Sequence, residues 1–199
     1  FKFIFTDCCN MQNVEVAYEL KDVTDYYIAS PAGIPDTGAP YDKIIPDLFN
    51  YNDAQMYQKI CDDYFSVLET EDGHLPMAVI QSSQMPQLAQ ATKTILESIY
   101  NTDTAIDMDK LIYYWTYDAN HPDNTKERIM YDMNDFLLRH AQTADYQQWL
   151  KAYNQAVVYK KRSDHWQWHE SRSYTQYADF EVTEERFGGV SMFVPLERY

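Results

Sequence analysis

The opening segment of the chain has a pattern of apolar and polar positions that predicts a βαβ unit. Residues 1–6 are mostly apolar and β-prone, as in a strand buried on both faces of a parallel sheet. From Val16 onward, apolar residues recur at i, i+4, i+7 and i+11, which predicts an amphipathic helix over roughly 12–25. Residues 27–30 predict a short second strand. A strand, a helix and a strand in this order favour a parallel pair with a right-handed crossover.

The rest of the chain predicts further helices and strands after a shaped loop. Residues 31–40 contain three prolines and two glycines, which is typical of a turn-forming loop. Strands are predicted at 76–82 and 189–194. Helices are predicted at 41–49, 53–69, 85–100, 107–116, 126–142 and 145–161. This alternation of strands and helices is typical of the α/β class.

Composition narrows the class of protein further. The chain has 199 residues, 45% of them hydrophobic, which is enough to bury the core of one domain. Lys and Arg number 16 against 31 Asp and Glu, so the net charge of −15 argues against a nucleic-acid binder. No apolar run approaches the ~20 residues of a transmembrane segment. The sequence therefore predicts a soluble, globular α/β domain.

Both ends of the sequence have the pattern of strands. Residues 1–6 are apolar from the first position, and a second apolar strand at 189–194 lies close to the last residue. Chain termini are usually at the surface and loosely held. We therefore expect a processed chain, or a single domain over 1–199 that lacks partner strands on its N-terminal side and also on its C-terminal side.

The three cysteines are candidates for chemistry. Cys8, Cys9 and Cys61 are odd in number, with two adjacent, which suits neither a disulfide framework nor a zinc site. Residues 7–11 (Asp-Cys-Cys-Asn-Met) fall between the first strand and the first helix, where open α/β sheets bind ligands and a helix N-terminus favours a thiolate. The residues leave two interpretations open, a nucleophilic cysteine or a pair of small buried hydrophobes.

Several segments together resemble the clostripain-like cysteine peptidases. They are residues 7–11, the helix 14–20 (Val-Glu-Val-Ala-Tyr-Glu-Leu), the strand 27–30 (Tyr-Ile-Ala-Ser) and 38–41 (Gly-Ala-Pro-Tyr). Weaker similarities follow at 132–136 and 189–192. The resemblance is strongest over about the first fifty residues.

The resemblance implies a caspase-like three-layer αβα sandwich with a mostly parallel sheet, of which this chain is the nucleophile-bearing part. It also implies a cysteine endopeptidase that cleaves after Arg or Lys through a Cys-His dyad. On the family motif the nucleophile is Cys9, whose backbone N–H helps to form the oxyanion hole, and Cys8 takes the place of a small residue. Asp7 and Ser30 then belong to the S1 pocket, and Asp36 is the nearest candidate for its second acid.

The histidine of the dyad has no counterpart in this sequence. The family carries it in a His-Gly motif on a strand before the nucleophile, whereas none of the five histidines here is followed by Gly: His74, His121, His140, His165 and His169. We therefore expect an associated N-terminal segment or chain to supply it. His140 is expected to be a partly exposed helix residue, and the aromatic segment 165–169 is a weaker candidate for a metal or ligand platform.

Two alternatives stay open beside the peptidase. One is an inactive relative that binds peptide or glycan at the cell surface, and the other is an intracellular scaffold with inert thiols. The resemblance implies a peptide or protein substrate and no cofactor, with a calcium requirement left open, and the net charge argues against a nucleic-acid partner. The resemblance also implies a bacterial protein that is secreted or located in the periplasm or at the cell surface.

Overall fold

The computed structural model describes most of the chain. The described residues are 1–35, 37–49, 55–68, 75–102, 105–116, 128–163, 166 and 182–194. Their helices and strands are β1 (Phe3–Phe5), α1 (Val14–Glu19), β2 (Tyr26–Ala29), α2 (Tyr41–Leu48), α3 (Met56–Leu68), β3 (Pro76–Gln81), a 3₁₀ turn (Ser82–Gln84), α4 (Met85–Asn101), β4 (Tyr113–Thr116), β5 (Arg128–Asp132), α5 (Met133–His140), α6 (Thr143–Ala156), β6 (Val157–Arg162) and β7 (Ser191–Met192).

The main sheet has the strand order β1-β2-β3-β6. Strands β1 and β2 are parallel, with Ile4 opposite Tyr27, so the predicted βαβ unit is confirmed. β3 is antiparallel to both of its neighbours, so β1, β2 and β6 share one direction and the sheet is mixed. Three of the four strands therefore run in one direction, as expected of a mostly parallel sheet. Of the three neighbouring pairs, however, only β1 and β2 are parallel. Among the described residues two helices, α2 and α3, lie between β2 and β3, as predicted, and β3 runs antiparallel to β2.

Helices cover both faces of this sheet, which confirms the three-layer αβα sandwich. Strand residues alternate between the faces: Tyr27 and Ala29 belong to one core cluster, and Ile28 between them belongs to the other. The first cluster includes residues from α1, α4, α5 and α6, and the second includes residues from α2 and α3. All three strand residues are fully buried. The period of two in β2 therefore fixes which helices lie on which face.

A second, smaller sheet takes β4 from one predicted helix, β5 from the first part of another, and β7 from the strand predicted at 189–194. Its order is β4-β5-β7, with antiparallel pairs. The helix predicted at 107–116 is wrong, because 105–112 has no helix and β4 follows. The helix predicted at 126–142 is half wrong, since α5 begins only after β5. Residues 111–114 are all fully buried, and such a stretch has no polar face from which to distinguish a strand from a helix.

The helix predicted at 145–161 also ends early. α6 ends at Ala156 and the chain continues directly as β6, which pairs with β3. Lys160, Lys161 and Arg162 are good helix formers, but the ladder with β3 and the ion pair from Lys161 to Asp62 (2.8 Å) outweigh that preference. Tertiary pairing therefore decides the conformation of this segment.

A buried carboxylate, Asp132, joins α5 to the C-terminal part of the described chain. Its Oδ1 accepts the N–H of Asp135 (3.0 Å) and so caps α5. Its Oδ2 accepts the N–H groups of Gly188 (2.9 Å) and Gly189 (3.1 Å) and the hydroxyl of Tyr114. Asp132 is fully buried, so these four donors replace the water that the carboxylate loses.

The neighbouring polar side chains extend this connection. Asp135 is fully buried and accepts two hydrogen bonds of 2.7 Å from the guanidinium of Arg186. The amide of Asn134 donates to the carbonyls of Glu185 and Arg186. A Cβ at Gly188 would lie 2.6 Å from Asp132 Oδ1, so the close approach of this backbone requires glycine. Residues 185–189 are therefore fastened to α5 by polar contacts.

The Asp132 carboxyl predicts a pH dependence of stability. Burial raises its pKa to about 6 from 3.8, so the folded state binds this proton more tightly than the unfolded state. Its contribution is fully present below pH 3.8 and is lost as the pH rises towards 6, a change of about 3 kcal/mol. Urea unfolding at several pH values, for the wild type and Asp132→Asn, measures this. The free energy of unfolding of the wild type, minus that of Asp132→Asn, should decrease from pH 4 to pH 7. A difference that stays constant would contradict the raised pKa of Asp132.

Candidate active site

Two loops meet at the carboxyl edge of β1 and β2. We call residues 6–13 the cysteine loop and residues 31–40 the proline loop. Because β1 and β2 are parallel, both loops leave the sheet at the same edge. The Asn10 N–H donates to the carbonyl of Ala32 (2.9 Å) and the Gln12 N–H to that of Ser30 (2.9 Å). The cysteine loop is therefore fixed along the chain that follows β2.

Local features shape the cysteine loop. Asn10 has a φ of 58°, in the left-handed region that asparagine tolerates better than most residues. Asn13 caps α1 by accepting the N–H of Val16 (2.8 Å), so the helix begins at Val14, later than predicted. At the far end of the loop, the Gln12 carbonyl accepts both the N–H (2.9 Å) and the hydroxyl (3.2 Å) of Ser191. A strand from the end of the described chain thus supports this loop.

The three thiols lie in different environments. Cys8 and Cys9 are exposed, so the interpretation of both as buried hydrophobes is wrong. Cys61 is fully buried in α3, and burial raises its pKa, which leaves it as an inert thiol. The sulfur of Cys9 accepts a hydrogen bond from the Ile34 N–H at 3.3 Å. Cys9 therefore faces solvent beside the proline loop.

Asp7 accepts three hydrogen bonds within the chain. Its Oδ2 accepts the Ala39 N–H (3.0 Å) and the Tyr41 hydroxyl (2.8 Å), and its Oδ1 accepts the Tyr64 hydroxyl (3.1 Å). Burial, followed by the Asp7 carboxylate, raises the pKa of both tyrosines, so their hydroxyls stay protonated and donate at neutral pH. Gly38 allows the proline loop to approach the Asp7 carboxylate closely. Its φ is 67°, and a Cβ at this position would lie only 2.9 Å from Asp7 Oδ2.

Of the two remaining predicted site residues, the structure describes Ser30 but not Asp36. Ser30 is buried, and its hydroxyl both donates to the Ala32 carbonyl and accepts the Ala32 N–H, each at 3.2 Å. It shapes the start of the proline loop. Asp36 lies outside the described residues. Sequence reasoning assigned no role to Tyr64, because its contact with Asp7 spans 57 residues and leaves no local signal.

The one described histidine has a structural role. His140 is buried, not partly exposed as expected, and its ring contacts Asp107 and Phe136. Its Nε2 accepts the Asp107 N–H (3.0 Å), and its Nδ1 lies 2.7 Å from the Phe136 carbonyl. His74, His121, His165 and His169 lie outside the described residues.

The aromatic platform is only partly covered by the structure. Trp166 is buried and packs on Tyr114 (5.2 Å between ring centroids) and Phe187 (6.4 Å), so it belongs to the core. The other residues of 165–169 are not described. Within the described part of the chain, no group of three acidic, His or Cys side chains could hold a metal ion. No helix among the described residues is long and apolar enough to cross a bilayer.

The fold and the exposed cysteine define a caspase-like α/β protein with a thiol at the carboxyl edge of its main sheet. The sequence profile of the Clostripain family of peptidases matches residues 1–195. The chain belongs to the Clostripain family, which confirms the resemblance seen in its motifs. No curated protein matches the chain significantly in sequence.

Several solved structures are similar to the chain. An inactive zymogen of a C11 protease from Parabacteroides distasonis is 25% identical with a TM-score of 0.81, over 99% of this chain and 53% of that one. A clostripain from Bacteroides thetaiotaomicron, in complex with the peptide inhibitor BTN-VLTK-AOMK, is 25% identical with a TM-score of 0.77, over 97% and 78%. A secreted C11 cysteine protease from the same organism, in complex with an irreversible peptide inhibitor, is 26% identical with a TM-score of 0.74, over 100% and 54%. The chain thus spans about half of two of these proteins.

Proposed function

We propose that this chain is the nucleophile-bearing part of a cysteine endopeptidase that cleaves peptide bonds after Arg or Lys. The observation that carries the proposal is the pairing of an exposed thiol and a fixed carboxylate on one loop. Cys9 faces solvent, and Asp7, two residues before it, is partly buried and oriented by three donors. A nucleophile beside a fixed negative charge suits a peptide whose scissile bond follows a basic residue.

In the proposed reaction, the sulfur of Cys9 attacks the carbonyl carbon of the scissile bond. A histidine on an associated N-terminal segment or chain takes the thiol proton and passes it to the leaving amine. The backbone N–H of Cys9, with a second N–H near that histidine, stabilises the oxyanion of the tetrahedral intermediate. Water then attacks the thioester, which releases the new carboxyl end and restores the thiol. The reaction as proposed draws on no cofactor, and a calcium requirement is a separate matter for chelation experiments.

The Asp7 carboxylate is the proposed charge partner of the basic residue in S1. In this proposal Ser30 borders the pocket through the turn that it stabilises, and Asp36 in the proline loop supplies a second acid. The inhibitor bound to the clostripain from Bacteroides thetaiotaomicron has a peptide part that ends in lysine, which supports a basic S1 residue here. The net charge of −15 would also concentrate basic peptides near the enzyme.

The proposed location is the exterior or the periplasm of a bacterium. A secreted relative from Bacteroides thetaiotaomicron supports this. The expected partners are peptide or protein substrates and the segment that supplies the histidine. The inactive, ligand-binding relative is the alternative against which the proposal is tested.

Labelling of the complete protein, upstream segment included, tests the proposal. A Lys- or Arg-based chloromethyl ketone should alkylate Cys9 at neutral pH, with Cys8 spared, as peptide mapping would show. The equivalent Leu-based reagent is the control for simple thiol reactivity and should label Cys9 far more slowly. A folded protein that shows no labelling would favour the inactive relative, and equally slow labelling of Cys8 and Cys9 would favour a scaffold with inert thiols.

A further inference from the structure

We infer that Cys8 is the resolving partner of Cys9 in a reversible oxidation, in which a hydroperoxide converts the two adjacent thiols to a disulfide. The inference rests on the proposed function for the choice of Cys9 as the thiol that is oxidised first, and it adds a modification site to that function. It follows from the exposure of both thiols and from the way in which the chain holds the residues around them.

Both thiols of the pair are accessible to a small oxidant. Cys8 and Cys9 are exposed, whereas Cys61, the third cysteine, is fully buried in α3. Susceptibility to oxidation follows exposure and thiolate character. The proposed peptidase reaction uses the Cys9 thiolate, so Cys9 is the thiol that reacts with a hydroperoxide first. Cys61 stays reduced in the folded protein and serves as an internal reference.

The backbone around the pair is held at its two ends. On one side the Thr6 N–H donates to a carbonyl of β2 (3.0 Å), and on the other the Asn10 N–H donates to a carbonyl of the proline loop (2.9 Å). Within the part of the chain that the structure describes, the N–H groups of Cys8 and Cys9 donate no hydrogen bond. Closing a ring between the two side chains would therefore break no hydrogen bond from these two N–H groups.

The two sulfurs are lightly held as well. Cys9 Sγ accepts one hydrogen bond, from the Ile34 N–H at 3.3 Å, and sulfur is a weak acceptor. Among the described residues, no side chain or backbone group is hydrogen-bonded to Cys8 Sγ. Both side chains can therefore change rotamer towards each other, with the loss of one weak hydrogen bond.

A disulfide between adjacent cysteines is strained. Neighbouring Cα atoms lie about 3.8 Å apart across a trans peptide, below the roughly 4.4–6.8 Å that most disulfides span. Strain makes a disulfide easier to reduce, and strained or exposed disulfides are the labile and regulatory ones. The bond between Cys8 and Cys9 would therefore form in the presence of an oxidant and open again in the presence of a thiol.

The oxidation proceeds in two balanced steps. The Cys9 thiolate attacks one oxygen of the hydroperoxide ROOH and the O–O bond breaks. The OH group stays on sulfur as a sulfenic acid, and the RO⁻ that leaves takes up a proton. The Cys8 sulfur then attacks the Cys9 sulfur, the S–O bond breaks, and water leaves as the disulfide forms. The two thiols together lose two electrons, which the peroxide gains.

The resolving thiol determines whether the oxidised nucleophile can be recovered. An external dithiol reduces the disulfide by thiol–disulfide exchange and is itself oxidised. Without Cys8, the sulfenic acid on Cys9 has no neighbouring thiol and is oxidised further to a sulfinic acid, which dithiols do not reduce. The family motif has a small residue at the position of Cys8, so alanine there gives a matched variant that lacks only the resolving thiol.

The experiment treats the complete wild-type protein and Cys8→Ala with hydrogen peroxide until cleavage of a basic fluorogenic peptide is lost in both. Dithiothreitol should then restore at least about fivefold more activity in the wild type than in Cys8→Ala, because the sulfinic acid is irreversible. Cys61→Ala removes a thiol elsewhere and should recover as fully as the wild type.

A second measurement detects the disulfide without any enzyme assay. The oxidised wild type should lose about 2 Da on the peptide that contains Cys8 and Cys9, and iodoacetamide should then alkylate neither of them. After unfolding, Cys61 should still be alkylated, which shows that the oxidation was confined to the exposed pair.

Three results would overturn the inference: equal recovery of the wild type and Cys8→Ala, an oxidised wild type in which Cys8 is still alkylated, or a disulfide between two molecules on a non-reducing gel. Labelling of Cys9 by the basic chloromethyl ketone would uphold the proposed function in each case. If that reagent labels nothing and no peptide is cleaved, the proposed function fails. The mass and alkylation measurements then decide by themselves whether the two thiols form a disulfide.

Discussion

Replacing Cys9 with alanine should lower kcat for a basic peptide substrate at least about 10⁴-fold in the complete protein. Loss of the nucleophile removes the acyl-enzyme route and leaves only the oxyanion hole and substrate binding to accelerate the reaction. Cys9 is exposed, and its sulfur accepts a hydrogen bond from the Ile34 N–H, so alanine should change stability little. Steady-state kinetics and thermal unfolding of the same preparation measure the two effects.

Cys8→Ala is the matched control, because Cys8 is the adjacent exposed thiol. It should keep kcat/KM within a few-fold of the wild type. The proposal that Cys9 is the nucleophile would be wrong if Cys9→Ala kept its activity, or if Cys8→Ala lost activity to the same degree. Loss of activity in Cys9→Ala with activity kept in Cys8→Ala distinguishes a catalytic thiol from a general sensitivity of the cysteine loop to substitution.

Replacing Asp132 with alanine should lower the free energy of unfolding by about 4 kcal/mol at pH 7. The substitution leaves the N–H groups of Asp135, Gly188 and Gly189 and the Tyr114 hydroxyl without this acceptor, and each unsatisfied buried donor costs about 1–3 kcal/mol. The expected total lies at the lower end of the summed range of about 4–12 kcal/mol, because water can enter the space left by the carboxylate. Urea denaturation with a shared slope measures the change.

The control for a general loss of negative charge is Asp22→Ala. The Asp22 side chain is 82% exposed and paired with Lys21, so its removal should change stability by less than about 0.5 kcal/mol. Asp132→Asn keeps one acceptor oxygen and should lie between the two variants. A change below about 1 kcal/mol for Asp132→Ala would show that the network around this carboxylate contributes little to stability.

Local patterns were enough to predict the first part of the fold. The βαβ unit depends on a helical stripe from Val16 and on turn residues after β2, and both act over short distances along the chain. The predictions failed where the environment decides, as in β6, whose lysines and arginine prefer a helix in isolation but pair with β3. They also failed at β4, where burial on all sides removes the periodic signal.

Some features of the candidate site could likewise be predicted from the sequence, and others could not. The motif around Cys9 and the turn at Gly38 could be identified in the sequence, because they are contiguous segments with recognisable residues. The environment of the Asp7 carboxylate could not, since Tyr64 reaches it from a helix 57 residues away. The expectation that Asp7 belongs to the S1 pocket said nothing about its hydrogen-bond partners, which only the folded arrangement gives.

The bond between Gln12 and Ser191 has a consequence for the order of folding. The two residues are 179 positions apart, so their contact closes almost the whole sequence described here and forms late, after local elements. Translation proceeds from the N-terminal side, so the cysteine loop is made early and waits for β7. A nascent chain on the ribosome therefore carries Cys9 in an incompletely supported loop. If the proposed peptidase activity depends on this support, it would be delayed until synthesis has passed residue 191.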